Sequence, residues 1–235
     1  KFLEGLLSVH WWVLGVLAFI LGGGLMLVFS LGMSPARLQP FTRFVCWSVM
    51  TCSGHPVRTL NAPPPPGEGP YVYVFNHTSL LDAFTLMVAF REWPAVVGKI
   101  EQFSVPFWGW ILRRWNVVAI DRSNREGSIQ RFSALQRALE NGQSALIAPE
   151  GTRSKTGVMG PFKKGPFHLS LATNSPVCPI RIRGAFEAKN TGSWRLRPGF
   201  VSVEFLPLVH VEEGMSVDDL LREARGRYDS DVPGN

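Results

Sequence analysis

The residues best suited to chemistry in this chain are a histidine and an aspartate five positions apart, in VFNHTSLLDAF, Val74 to Phe84. An imidazole takes up a proton near neutral pH. A carboxylate close by can hold the ring by accepting from one nitrogen, which leaves the other as a base. For Asp82 the competing explanation is a helix cap. Ser79, Leu80, Leu81 and Asp82 have the form of a capping box, in which the serine accepts from a first-turn amide and the acid reaches back. The pattern recurs at Ser216 to Asp219, ahead of LLREARGRY, where no chemistry needs explaining. Capping accounts for Ser79 and Asp82 but leaves His77 idle, in a turn where a titratable ring does little for packing.

No nucleophile accompanies the pair. A G-x-S-x-G elbow is absent, and GQSAL from Gly142 lacks the closing glycine and stands at a strand entrance rather than its exit. Cys178 lies within a strand candidate, and Ser79 is occupied as a cap. A base without a serine or cysteine partner suggests a substrate that brings its own nucleophile, such as a hydroxyl.

A second constellation is LIAPEGTRS, Leu146 to Ser154. Arg153 can grip a phosphate with two parallel hydrogen bonds, and Gly151 lets a ligand approach the backbone. Lys163 and Lys164 follow in GPFKKGPF, and VAIDRS puts Arg122 at the end of another strand. Glu150 is the odd member among these cations. It either braces Arg153, accepts from a substrate hydroxyl, or forms a plain surface ion pair.

These residues need a scaffold that gathers strand ends. Strand candidates are Tyr71 to Phe75, Ala95 to Gly98, Val117 to Ile120, Ala145 to Ala148, Val177 to Ile182 and Val201 to Phe205. Helix-like segments separate most of them, the clearest from Gly127 to Asn141 with Gly142 as its stop. Such alternation predicts an α/β fold with a mixed, mostly parallel sheet flanked by helices, and functional residues where the strands end.

The chain has 235 residues, enough for one catalytic-sized domain plus an appendage. The appendage is N-terminal. From Gly5 to Ala36 there is no charged residue, and WWVLGVLAFILGGGLMLVFSLGM is long enough to cross a bilayer. Trp11 and Trp12 at one end, with Arg37 and Arg43 beyond the other, would leave the main domain on the cytoplasmic side of the membrane. The triplet Gly22 to Gly24 offers a break midway, and FVCWSVMTCSG from Phe44 is half a span, so a bent helical pair dipping into one leaflet is the alternative to a crossing helix. Residues 1–54 are read as a hydrophobic helical membrane anchor and 55–235 as the α/β domain. The proline run in NAPPPPGEGP serves as a stiff surface connector.

Lysine and arginine number 24 against 18 acids, a net charge of +6 that favours anionic partners. The three cysteines, Cys46, Cys52 and Cys178, lack metal-ligand spacing, so they read as free thiols and no metal is expected.

Taken in order, NHTSLLD, AIDRS and PEGTRS resemble the blocks of the glycerolipid (lysophospholipid) acyltransferase family, over roughly residues 71–182. Val177 to Ile180, with Pro179, resembles its hydrophobic strand block, and GKIEQFSVPFWGWI its segment before the arginine block. The resemblance implies that His77 deprotonates a glycerol hydroxyl while Asp82 orients it. The hydroxyl then attacks the thioester of acyl-CoA or acyl carrier protein, with no acyl-enzyme. It also implies that Arg122, Glu150, Gly151, Thr152 and Arg153 bind the acceptor's glycerol phosphate, with Lys99, Lys163 and Lys164 as weaker phosphate candidates. The implied acceptor is a lysophospholipid, acylated at the sn-2 position of 1-acylglycerol 3-phosphate. The partners are then that lipid, the acyl donor and the bilayer, with no nucleic acid and no further cofactor. Glycerol 3-phosphate or another lysolipid as acceptor, a non-catalytic lipid or acyl-CoA binder, and a lipid hydrolase remain the alternatives.

Overall fold

The computed structural model describes residues 2–65, 68–106, 108–115, 117–120 and 125–229. Seven strands form one sheet: β1 (Val57–Leu60), β2 (Val72–Phe75), β3 (Ala95–Lys99), β4 (Val118–Ile120), β5 (Ala145–Ile147), β6 (Val177–Arg183) and β7 (Val201–Phe205). The order across the sheet is β1-β7-β6-β2-β5-β3-β4, and among its neighbouring pairs only β6 and β7 run antiparallel. The mixed, mostly parallel sheet expected from the alternation is therefore present. The strand missing from the sequence reading is β1. It lies at the sheet edge with three of its four residues exposed, and Arg58 and Thr59 give it no apolar alternation.

Helices cover both faces, and β2 shows the division at single-residue resolution. Tyr71, Tyr73 and Phe75 pack with α3 (Asp82–Ala89), α7 (Ala185–Ala188) and Met50 on one side. Val72 and Val74 pack on the other with α5 (Arg125–Glu140), α6 (Gly165–Thr173) and α8 (Val217–Asp229). A strand buried on both faces has no polar positions to spare, which explains its unbroken apolar run. Because β2, β5, β3 and β4 are parallel neighbours, their carboxyl ends share one edge of the sheet. There β2 and β5 lead out toward His77 and Glu150, and Lys99 closes β3.

At the amino end, α1 (Phe2–Ser30) runs antiparallel to α2 (Pro35–Cys52). The break that Gly22 to Gly24 offer is not taken, and the helix is continuous for 29 residues, about 43 Å at the usual rise. Gly22 is a packing position. A Cβ there would come within 2.6 Å of Val45, and one at Gly15 within 2.0 Å of the Ser53 hydroxyl, so these glycines let α2 approach closely. From Glu4 to Ser30, α1 is apolar and long enough to cross a membrane, and Leu6, Leu17, Ile20, Leu21 and Val28 are among its exposed side chains. It also touches the α/β body along its length. Ser8 donates to the Leu196 carbonyl at 3.0 Å, Phe19 stacks edge-on against Phe84 of α3, and Met26 packs in a cluster with Trp115.

His55 ties the end of α2 to the entrance of β7. It is fully buried, its Nε2 donates to the Arg197 carbonyl at 3.0 Å, and its Nδ1 has no partner among the described residues. Burial lowers its pKa from the ordinary 6.5, and the carbonyl bond only partly opposes this. The neutral ring is thus favoured in the folded state, while the unfolded chain takes up the proton first. That stability is complete above about pH 6.5 and is lost as the pH falls through the depressed value. The melting temperature in detergent should fall between pH 7.5 and pH 5.5, and fall less in His55→Gln. Equal losses in both would show that His55 does not carry the acid sensitivity.

Candidate active site

The turn after β2 is fixed before its chemistry begins. Asn76 bridges to β6, accepting from the Ile182 amide at 2.7 Å and donating to its carbonyl at 2.9 Å, which extends the pairing one residue beyond the strand. Both backbone groups of His77 are then taken by the loop after β5. Its N–H donates to Glu150 Oε1 at 3.0 Å, and its carbonyl accepts from the Ser154 amide at 2.7 Å.

The His77 ring meets Asp82 with Nδ1 and Oδ2 2.7 Å apart, at side-chain exposures of 28% and 1%. A carboxylate oxygen only accepts, so Nδ1 carries the hydrogen and the neutral ring keeps its lone pair on Nε2. The same Oδ2 accepts from the amides of Thr78 at 2.8 Å and Ser79 at 2.9 Å. Asp82 therefore caps and orients with one atom. The symmetrical box is present at α8, where Asp219 Oδ2 accepts from Ser216 and Ser216 Oγ accepts the Asp219 amide. At α3 the box expected from the sequence is rearranged. Ser79 Oγ accepts the Leu81 amide at 3.2 Å, just short of the helix, and donates to the Lys189 carbonyl at 2.6 Å.

Glu150 is buried and forms no ion pair among the described residues. Its second oxygen accepts from the Gly160 amide at 2.8 Å, so the whole carboxylate braces backbone rather than Arg153. Gly151 has φ +75°, and a Cβ on it would stand 2.6 Å from Lys163 Nζ, so the lysine passes directly over the glycine. Thr152, Arg153 and Lys163 are exposed, and neither Arg153 nor Lys163 forms an ion pair among the described residues. Lys164 is turned away to an exposed pair with Asp218 at 2.8 Å. Lys99 ends β3 at the shared sheet edge, and Arg122 lies outside the described residues.

Two features of the site were not read from the sequence. Lys189 is half-buried, and burial together with the Arg153 guanidinium lowers its pKa below the ordinary lysine value. Arg225 of α8 donates to the Gly160 carbonyl at 2.6 Å and so supports the loop whose amide holds Glu150. Neither residue belongs to a recognisable block, and only the fold reveals their place. Around the turn the amides of Thr78, Ser79 and Leu81 are engaged, whereas those of Thr152 and Arg153 have no partner among the described residues.

Known proteins resemble this chain in sequence and in fold. A family model described as Acyltransferase matches residues 51–183. A 1-acyl-sn-glycerol-3-phosphate acyltransferase of Cocos nucifera is 34% identical over 60% of this chain and 46% of its own length. One of Pseudomonas aeruginosa is 33% identical over 74% of this chain and 67% of its own length. The chain spans between about half and two thirds of the length of these curated relatives. The crystal structure of the 1-acyl-sn-glycerophosphate (LPA) acyltransferase of Thermotoga maritima superposes with a TM-score of 0.79, covering all of this chain and 99% of that one at 23% identity, and so shares its fold. With more than half of its length matched by the family model, and with the histidine turn and the glycine loop inside the matched region, this chain belongs to the Acyltransferase family.

Proposed function

We propose that the chain transfers a fatty acyl group from acyl-CoA or acyl carrier protein to the free sn-2 hydroxyl of 1-acylglycerol 3-phosphate, giving phosphatidic acid and the free thiol. The observation that carries this reading is the His77–Asp82 bond beside Arg153 and Lys163, two cations with no carboxylate partner among the described residues. The names of the relatives support the acceptor. No serine or cysteine is hydrogen-bonded to the His77 ring among the described residues, which favours direct transfer.

In this mechanism Asp82 holds Nδ1–H, and Nε2 takes the proton as the acceptor oxygen attacks the thioester carbonyl. The tetrahedral oxyanion accepts from the unengaged Thr152 and Arg153 amides. On collapse the carbon–sulfur bond breaks and the imidazolium returns its proton to the departing thiolate. Glu150 contributes by holding the His77 backbone, while Arg153 and Lys163 bind phosphate. Arg122 and Lys99 are assigned to the same phosphate by their place in the family's blocks. The ion pair of Lys164 with Asp218 directs it to α8 instead. Neither a metal nor a further cofactor is needed for the reaction as written.

The acceptor is a membrane lipid, and the exposed apolar surface of α1 suits a bilayer. Contacts from α1 to the body at Ser8, Phe19 and Met26 favour a helical pair immersed in one leaflet, on the cytoplasmic side, over a crossing helix.

Three experiments test these parts. His77→Ala should lower kcat about 10²- to 10⁴-fold in a detergent assay with acyl-CoA. Asp82→Asn should lose activity with a smaller loss of stability, about 1–3 kcal/mol. Undiminished turnover in folded His77→Ala would remove the base assignment. Arg153→Ala should raise KM for 1-acylglycerol 3-phosphate far more than for 1-monoacylglycerol; equal increases would rule out a phosphate clamp. For the anchor, cysteines placed singly at Leu6 and Leu31, in a chain with its native cysteines replaced by alanine, should react with an impermeant maleimide from the same side of proteoliposomes. Labelling from opposite sides would establish a crossing helix.

A further inference from the structure

We infer that Lys189 and Arg153 together form the jaw for the phosphate monoester of the acylglycerol acceptor, and that Lys189 thereby sets the preference for a phosphorylated over an uncharged acceptor. This rests on the acyl-transfer reading above.

The two cations are tied to the two ends of the catalytic turn. The Lys189 carbonyl accepts from the Ser79 hydroxyl at 2.6 Å, and the Ser79 amide bonds the same Asp82 oxygen that holds the His77 ring. Arg153 precedes Ser154, whose amide binds the His77 carbonyl at 2.7 Å. Neither cation has a carboxylate partner among the described residues, whereas Lys164, Arg181, Arg195, Arg222 and Arg227 each have one. The Lys189 ammonium donates instead to the carbonyl of its neighbour Asn190 at 2.6 Å, a contact that a ligand can replace. Its ammonium is also held below the ordinary lysine pKa by burial and by Arg153, a cost that a bound anion would remove. A phosphate monoester offers three terminal oxygens, enough for a guanidinium and an ammonium at once; an uncharged glycerol headgroup offers no anion.

Both substrates carry phosphate, but the chemistry of the acceptor favours its own. The reacting hydroxyl and the phosphate ester oxygen of 1-acylglycerol 3-phosphate sit on adjacent carbons, so its phosphate must lie beside the base. The phosphates of an acyl-CoA or acyl carrier protein stand a pantetheine arm away from the thioester.

The test is steady-state kinetics in detergent for the wild type, Lys189→Ala, Lys189→Gln and Lys189→Arg. The acceptors are 1-acylglycerol 3-phosphate and 1-monoacylglycerol, with acyl-CoA varied separately. Removing the ammonium should raise KM for the phosphorylated acceptor roughly tenfold while kcat stays within about twofold. KM for acyl-CoA should not change, and Lys189→Arg should recover most of the loss. Thermal melts of all four proteins identify any variant that is unfolded, and the two neutral replacements serve as alternates. An unchanged acceptor KM, or equal changes for both acceptors, would overturn the assignment. A raised acyl-CoA KM in its place would give the cations to the donor and overturn it as well. Failure of the acyl-transfer reading would show separately, as a wild type inactive toward every glycerol phosphate acceptor.

Discussion

A single carboxylate oxygen organises this site. Asp82 Oδ2 accepts from the His77 ring and from two consecutive amides, in a side chain with 1% of its surface exposed. Burying a carboxylate is costly unless its charge is met by donors, and here all three come from the turn that the aspartate follows. The turn can close only if the acid is present, and the acid can be buried only if the turn closes. Local folding and ring orientation are therefore one event. This also explains why the α3 cap departs from the symmetrical box at α8, since the oxygen that completes the box there is shared here with an imidazole.

The rest of the fold holds that turn from outside. Parallel pairing of β2 with β5 puts their exits side by side, and Glu150 converts the proximity into a fixed distance by bonding one amide from each loop, His77 on one side and Gly160 on the other. Support then extends outward. Arg225 grips the Gly160 carbonyl, and the Tyr228 hydroxyl lies 2.9 Å from the Val74 carbonyl, so α8 braces both the loop and the strand that precedes the histidine. Arg181 in turn fixes the end of α8 through the Tyr228 carbonyl at 2.7 Å. A site geometry set by backbone hydrogen bonds between rigid elements would need little reorganisation on substrate binding.

What could be read from the sequence follows from how far each interaction reaches along the chain. The other six strands show in sequence as apolar runs or alternation, whereas β1 is exposed and its register with β7 comes from residues more than 140 positions away, so no local pattern marks it. Helix α5 was readable from its apolar spacing and its glycine stop, and Gly142 does adopt φ +78°. His77 and Asp82 could be paired because they lie within one turn of chain. The role of Glu150 could not, because its partners are backbone amides 73 and 10 residues away, and an acid beside an arginine looks like an ion pair in sequence. Gly22 is hard to read for a related reason: its intrinsic tendency to break a helix is outweighed by close packing against Val45, a contact visible only in three dimensions.

The bracing role of Glu150 also accounts for the electrostatics of the loop. It is the carboxylate nearest in sequence to Arg153, and an ion pair between them would cancel the charge that an anionic acceptor needs. With both of its oxygens committed to amides, the acid adds rigidity while Arg153, Lys163 and Lys189 have no carboxylate partner among the described residues. The cost appears at Lys189, whose ammonium is disfavoured by burial and by the adjacent guanidinium. A set of like charges kept close together in the folded state is stabilised most by a ligand of opposite charge, so the free energy lost in assembling the cations returns when a phosphate binds. In the proposed reaction, placing that cluster beside the turn that carries His77 would couple recognition of a phosphate to the position of the neighbouring hydroxyl. An acceptor without phosphate would then forgo the affinity that these cations supply.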